Sequence, residues 1–311
     1  ASLALARGRY AEAEPLARRA LEIRERALGP EHPEVAASLH GLAAVALARG
    51  RYAEAEPLAR RALEIRERAL GPEHPEVAAS LHTLALVCHT AGRPAEAGPL
   101  AERACALRER LLGPDHPDVA ASLDALAAGQ EAEGDYEGAQ ATYERARAIR
   151  EQTLGPDHPD LAFSLNNLGW VLAASGRAAH AGWLFRQALL LAEQAGGPQH
   201  PEVATSLNNL GFLAYVEGDF SAAQRLYLQA LAIDEATLGP DHHHAAATYR
   251  NLALLCQAQG DGVRAQRWLK REREARATLA RDNWPDSGTF LGPPRASRRR
   301  RNWGGRARRA A

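Results

Sequence analysis

The chain has 311 residues, is 46% hydrophobic but only 5% aromatic, and carries 38 basic and 38 acidic side chains. Apolar content drawn mostly from Ala and Leu suits closely packed helices and excludes a sheet protein, which needs β-branched and aromatic residues. No apolar run approaches the ~18 residues that span a bilayer and no signal peptide is legible, so no membrane role is expected.

Charge is unevenly spread. Residues 287–311 hold eight Arg and no acid, which leaves 30 basic against 38 acidic side chains in residues 1–286. Cys88, Cys105 and Cys256 lack any metal-like spacing and stand where the sequence pattern elsewhere has core residues. They read as buried, reduced thiols, which points to a cytoplasmic location. Met is absent and residue 1 falls inside a repeating pattern, so the chain reads as a segment of a longer protein.

That pattern has a period of 42 residues. Gly-Pro pairs start at Gly29, Gly71, Gly113, Gly155, Gly197 and Gly239, and a second glycine series runs Gly8, Gly50, Gly92, Gly134, Gly176, Gly218 and Gly260. Residues 4–40 and 46–82 are identical. Self-similarity at such a period marks a solenoid, in which each unit buries its apolar face against its neighbours.

Residues 162–196 show the unit. Leu165, Leu168, Gly169 and Leu172 share one helical face, and Gly176 ends that helix. Ala181, Leu184, Phe185, Ala188 and Leu191 share the face of a second helix, ended by Gly196. Each unit therefore reads helix, tight turn, helix, turn. The alanine that opens the second face recurs at Ala13, Ala55, Ala97, Ala139, Ala181, Ala223 and Ala265, where a methyl group lets two helices approach closely.

Between units stands "LGPEHPEVAASL" or a close variant. Gly-Pro stops one helix, and the second Pro starts the next where its missing N–H is not needed. Asp157 and Asp160 are expected to accept from the free N–H groups around Pro159, with His158 inside the cap. His32, His74, His116, His158 and His200 are displaced along the array and cannot converge on one ion. His242, His243 and His244 adjoin, but no acid or Cys partner is spaced to complete a ligand set, so no metal is expected.

The run Leu207, Leu210, Gly211, Gly218, Phe220, Ala223, Tyr227, Ala230 and Leu231 resembles the tetratricopeptide repeat, and the lengthened 42-residue unit is similar to kinesin light chain repeats. The resemblance covers about residues 1–275. It implies an all-α, right-handed superhelical α-α solenoid of helix hairpins over residues 1–282: a partial first repeat, five full repeats and a degenerate capping repeat. In the cap, Glu272 and Arg273 replace the buried Ala-Leu pair. Residues 283–311 are expected to form a disordered basic tail rich in Arg, Gly and Pro.

Catalytic motifs are missing. Lys270 is the only lysine and follows no glycine-rich loop, and the sequence has no GxSxG, HExxH or GxGxxG. The Glu and Arg of "EAEPLARRALEIRERAL" are expected on exposed faces as i,i+4 partners. Pro15, Pro57 and Pro99, about one turn into second helices, are expected to kink them slightly. The expectation is a non-catalytic scaffold without cofactors.

In tetratricopeptide arrays the first helices line a groove. The matching offsets here begin with His40, His82 and Asp124, and become richer in amides and aromatics: Asn166, Asn167 and Trp170, then Asn208, Asn209, Phe212 and Tyr215, then Arg250 and Asn251. An Asn amide can both donate to and accept from an extended peptide's backbone. By the resemblance, Asn167, Asn209 and Asn251 match peptide-contacting positions. The expected partner is therefore a protein or peptide ligand, not a membrane or a small-molecule substrate. Nucleic acid is considered only for the basic tail. The alternatives are a ligand-sensing arm of a larger signalling NTPase or protease, or a kinesin light chain-type cargo adaptor.

Overall fold

The computed structural model describes residues 10–281, and side chains from Glu14 to Thr278. The segment 283–311, read above as a disordered tail, lies outside the described residues. Thirteen helices and no strand occur among the described residues. They are α1 (Tyr10–Leu28), α2 (Pro33–Ala48), α3 (Tyr52–Leu70), α4 (Pro75–Thr90), α5 (Pro94–Leu112), α6 (Pro117–Glu133), α7 (Tyr136–Leu154), α8 (Asp160–Ala174), α9 (Ala178–Gly196), α10 (Pro201–Glu217), α11 (Phe220–Thr237), α12 (His243–Ala258) and α13 (Gly262–Arg281). The fold is an all-α solenoid of helix hairpins, with α2–α3 the first complete pair. None of the described helices is long and apolar enough to cross a membrane. Contacts divide the helices into one body through Ile149 and a second body of Arg150–Thr278.

The joints explain the period. Gly71 takes φ +87°, the left-handed region that a side chain resists, and its N–H closes the preceding helix on the Glu67 carbonyl at 3.1 Å. The next helix is capped by histidine. Nδ1 of His32, His74, His116, His158, His200 and His242 accepts the backbone N–H two residues on, at distances from 3.1 to 3.3 Å. This corrects the expectation that Asp157 and Asp160 are the acceptors: the ring reaches the free N–H of Asp160 itself. Pro57 and Pro99 lie inside helices that continue through them.

In the first body two pairs of facing core positions hold small residues, among buried leucines such as Leu39, Leu81 and Leu84. Ala43 and Ala59, then Ala85 and Ala101, are each at most 1% exposed. Four of the recurrent alanines there and beyond, Ala55, Ala97, Ala139 and Ala181, are fully or almost fully buried, as the close-approach argument requires. In the second body the exchange is large for small. A Cβ on Gly169 would stand 2.6 Å from the Phe185 ring, and one on Gly211 would stand 2.8 Å from Tyr227. Glycine makes room for a buried aromatic from the partner helix. All three cysteines are buried and free, and burial first of all pushes the Cys105 thiol up to about 11.

The charged second helices are not simply exposed. Arg66 and Arg108 are buried, and each donates from Nη1 to a buried serine on the next helix, Ser80 and Ser122, at 2.7 Å. In the second body Arg150 does the same to Ser164 at 2.7 Å. These guanidiniums also escape the i,i+4 reading because their partners lie 14 residues away. Other arginines bridge successive second helices: Arg61 to Glu25 at 2.8 Å, Arg103 to Glu67 at 2.6 Å and Arg145 to Glu109 at 2.6 Å. Such half-exposed pairs each contribute at most about 1 kcal/mol. In α13 Glu272 is buried and paired with Arg276 at 3.0 Å, while Arg273 is exposed.

Candidate peptide-binding face

The candidate residues lie on α8, α10 and α12, the first helices of the second body. Their arrangement starts from a missing arginine. The residue one period after Arg150 is Ala192, so Ser206 has no guanidinium to receive. Asn166 takes its place. Its Nδ2 donates to Ser206 Oγ at 3.0 Å, and its Oδ1 accepts from Asn209 Nδ2 at 3.2 Å. One repeat on, Asn251 Nδ2 donates to Asn208 Oδ1 at 3.0 Å.

Asn166, Asn208, Asn209 and Asn251 are all at most 4% exposed. Their amides join neighbouring first helices rather than face solvent. Helical offsets placed them on the right helices but set Asn209 at a peptide-contacting position, because an offset describes one helix and not the neighbour that covers it. Asn208 Nδ2 is buried without a hydrogen bond. Its counterpart to Ser206 is Thr248, whose hydroxyl donates to the His244 carbonyl instead.

The aromatics split in the same way. Phe212 is buried, and its ring packs on Trp170 of the preceding first helix with centroids 5.1 Å apart and planes tilted by 48°. Trp170 and Tyr215 are half-buried, and Tyr215 meets Phe220 at 6.0 Å. Asn167 and Arg250 are also half-buried, and neither makes a side-chain hydrogen bond or ion pair among the described residues. The nine candidates therefore form a buried supporting row and an accessible set of Asn167, Trp170, Tyr215 and Arg250.

In the first body the same register carries His40 and His82. Burial, with Arg66 and Arg108 next, lowers His40 to about 4. Burial likewise lowers His82 to about 3, with Arg108 adding to it. Both rings are neutral at pH 7, like the Asn166 and Asn208 amides in the same register.

Family models described as tetratricopeptide repeat match residues 1–68, 39–110, 92–152, 130–181, 184–236 and 208–278, and a second such model matches 162–202. The chain belongs to the tetratricopeptide repeat family. No protein of curated function matches it. Among solved tetratricopeptide structures, it is similar to the nearly identical TPR-like repeats of a kinesin light chain-type protein from Podosopora anserina. That match has 29% identity and a TM-score of 0.50, and covers 67% of this chain and 98% of the other. BtubC (BKLC) from P. vanneervenii shares 23% identity at TM-score 0.53, covering 81% and 94%. The Rap conjugation gene regulator of plasmid pLS20, solved with the Phr* peptide, shares 14% identity at TM-score 0.70, covering 93% and 74%. At these last two identities the likeness is one of tetratricopeptide fold alone.

Proposed function

We propose that the chain is a non-catalytic interaction scaffold that holds an extended peptide across the first-helix face of its second body. The observation that carries this reading is the pairing state of Asn167 and Arg250. Both are polar, half-buried and unpartnered among the described residues, on a face where every other candidate asparagine is buried. An amide and a guanidinium so placed suit a peptide backbone and an acidic side chain or terminal carboxylate. Trp170 and Tyr215 supply apolar contact with few rotors to freeze. The buried asparagine row keeps the helices in register and so pre-organises the face. A peptide complex exists for a protein of this fold, the pLS20 Rap regulator with Phr*.

The test is selection from a displayed library of unstructured peptides, followed by calorimetry of the selected sequences. Asn167→Ala and Arg250→Ala should each weaken binding about 10-fold or more, the range for losing one buried hydrogen-bond or charged partner. If they bind like wild type while the double variant His40→Ala with His82→Ala abolishes binding, the site is on the other body. If no peptide is enriched, the reading fails.

A further inference from the structure

The last joint departs from the repeat at three positions that meet in space. Earlier joints read His-Pro-acid, as in His74-Pro75-Glu76 and His200-Pro201-Glu202, whereas the last reads His242-His243-His244. On the preceding second helices the column Arg24, Arg66, Arg108, Arg150, Ala192 ends in Asp234. Where the column is Arg, it pairs with the acid of the following joint: Arg24 with Glu34 at 3.0 Å and Arg66 with Glu76 at 3.1 Å. At the last joint the acid stands on the helix and the histidine in the joint, and Asp234 Oδ1 is 3.6 Å from His244 Nδ1. Asp234 is only 2% exposed and its Oδ1 accepts no hydrogen bond. Glu202, which lost its arginine to Ala192, is also within electrostatic reach of His244, and its Oε2 is buried without a hydrogen bond.

The three rings each bring one nitrogen to within 4.8 Å of the others. Their centroids are 4.0 Å apart for His242 and His243, 5.0 Å for His242 and His244, and 4.6 Å for His243 and His244. His242 spends Nδ1 on the helix cap, so Nε2 is the nitrogen it offers. Zinc-to-nitrogen bonds of about 2.0–2.1 Å in a tetrahedron put ligand atoms roughly 3.4 Å apart, a closure that side-chain rotation supplies.

We propose that His242, His243 and His244 form a binding site for a divalent transition-metal ion of the zinc class, with Asp234 as the carboxylate that orients His244. Imidazole ligands favour zinc, cobalt, nickel or copper over magnesium and calcium. Asp234 Oδ1, 3.6 Å from His244 Nδ1 and not yet hydrogen-bonded to it, is placed to close on that nitrogen and leave Nε2 for the metal, the carboxylate–histidine–metal arrangement that raises ligand basicity. Asp234 places a buried carboxylate beside the ring cluster. The rings are half-buried, so water takes the fourth position. The sequence concealed this because both acids lie on other helices, eight or more residues from the rings.

Cobalt(II) is titrated into the full chain, free of any affinity tag, and read by visible absorption. Wild type should take up one equivalent with the intense bands of four-coordinate cobalt, and zinc(II) should displace it. Asp234→Asn should weaken binding about 10- to 100-fold, as loss of such a carboxylate does. The combined variant Asp234→Arg, His243→Pro, His244→Glu rebuilds the joint of the earlier repeats and should stay fully helical by circular dichroism. It should lose the bands and the rise in thermal midpoint that zinc gives wild type. If wild type shows no stoichiometric uptake, or if the rebuilt joint binds cobalt equally well, the site does not exist.

Discussion

Asn209 Nδ2 donates to Asn166 Oδ1 at 3.2 Å across two successive first helices, with both side chains buried. The bond makes Asn209 a structural joint. Asn209→Ala should therefore lower stability by about 1–3 kcal/mol, since it strips a partner from a buried amide oxygen. Asn167→Ala, one repeat earlier at the same offset, should stay within about 0.5 kcal/mol of wild type. Urea titration followed by circular dichroism separates them, and equal effects would mean that the amide row does not hold the helices.

Arg66 presents the same contrast among charges. It is 4% exposed, and its Nη1 reaches both Ser80 Oγ and the Glu76 carbonyl. Arg66→Ala should be destabilising by about 1–3 kcal/mol, because buried acceptors lose a charged donor. Arg61→Ala removes a half-exposed ion pair and should lose under about 1 kcal/mol. Chemical denaturation of the two variants side by side gives the comparison.

The histidine caps predict a rescue. His74 Nδ1 satisfies the Glu76 N–H at 3.2 Å, and His74→Ala should lower stability by about 0.5–2 kcal/mol. His74→Asn should recover most of that loss, since Asn is among the best capping residues. Thermal melts check both. If His74→Asn recovers nothing, the ring does not act as a cap.

Stability should fall on mild acidification. His40, His82 and His89 are lowered by burial to about 4, 3 and 4 from an ordinary value of 6.5. Between those limits the unfolded chain binds more protons than the folded one, so stability rises with pH and is lost as pH falls from 6.5 toward 4. His82→Asn installs the residue that the second body carries in this register and should flatten the slope. Urea midpoints at pH 7 and pH 4.5 measure it, and an unchanged slope would show that His82 is open to protons in the fold.

Much of the fold was legible. The positive-φ glycines, the close-approach alanines and the buried faces of residues 162–196 all follow from the period and from helical geometry. What escaped was the chemistry between units. Asp157 and Asp160 looked like the caps because carboxylates are the familiar acceptors, yet the imidazole lies nearer the free N–H. Arg66 looked solvated because its own helix places it beside other charges, while its serine lies on the next helix. Asn209 looked accessible for a related reason. A periodic sequence shows which positions recur, but not which recurring positions meet, because that depends on how one copy is laid against the next.

The polar bonds of Arg66, His74 and Arg61 each close within one period. Arg66 finds Ser80 fourteen residues on, His74 finds Glu76, and Arg61 finds Glu25 thirty-six residues back. The units are thus interchangeable parts. Recombination between the identical stretches 4–40 and 46–82 would lengthen or shorten the protein by one whole unit and leave each cap, serine and ion pair with a partner of the same kind. A slip of any other length would strand them. The bonding pattern itself makes array length an easily inherited variable, and it holds the copy size at 42.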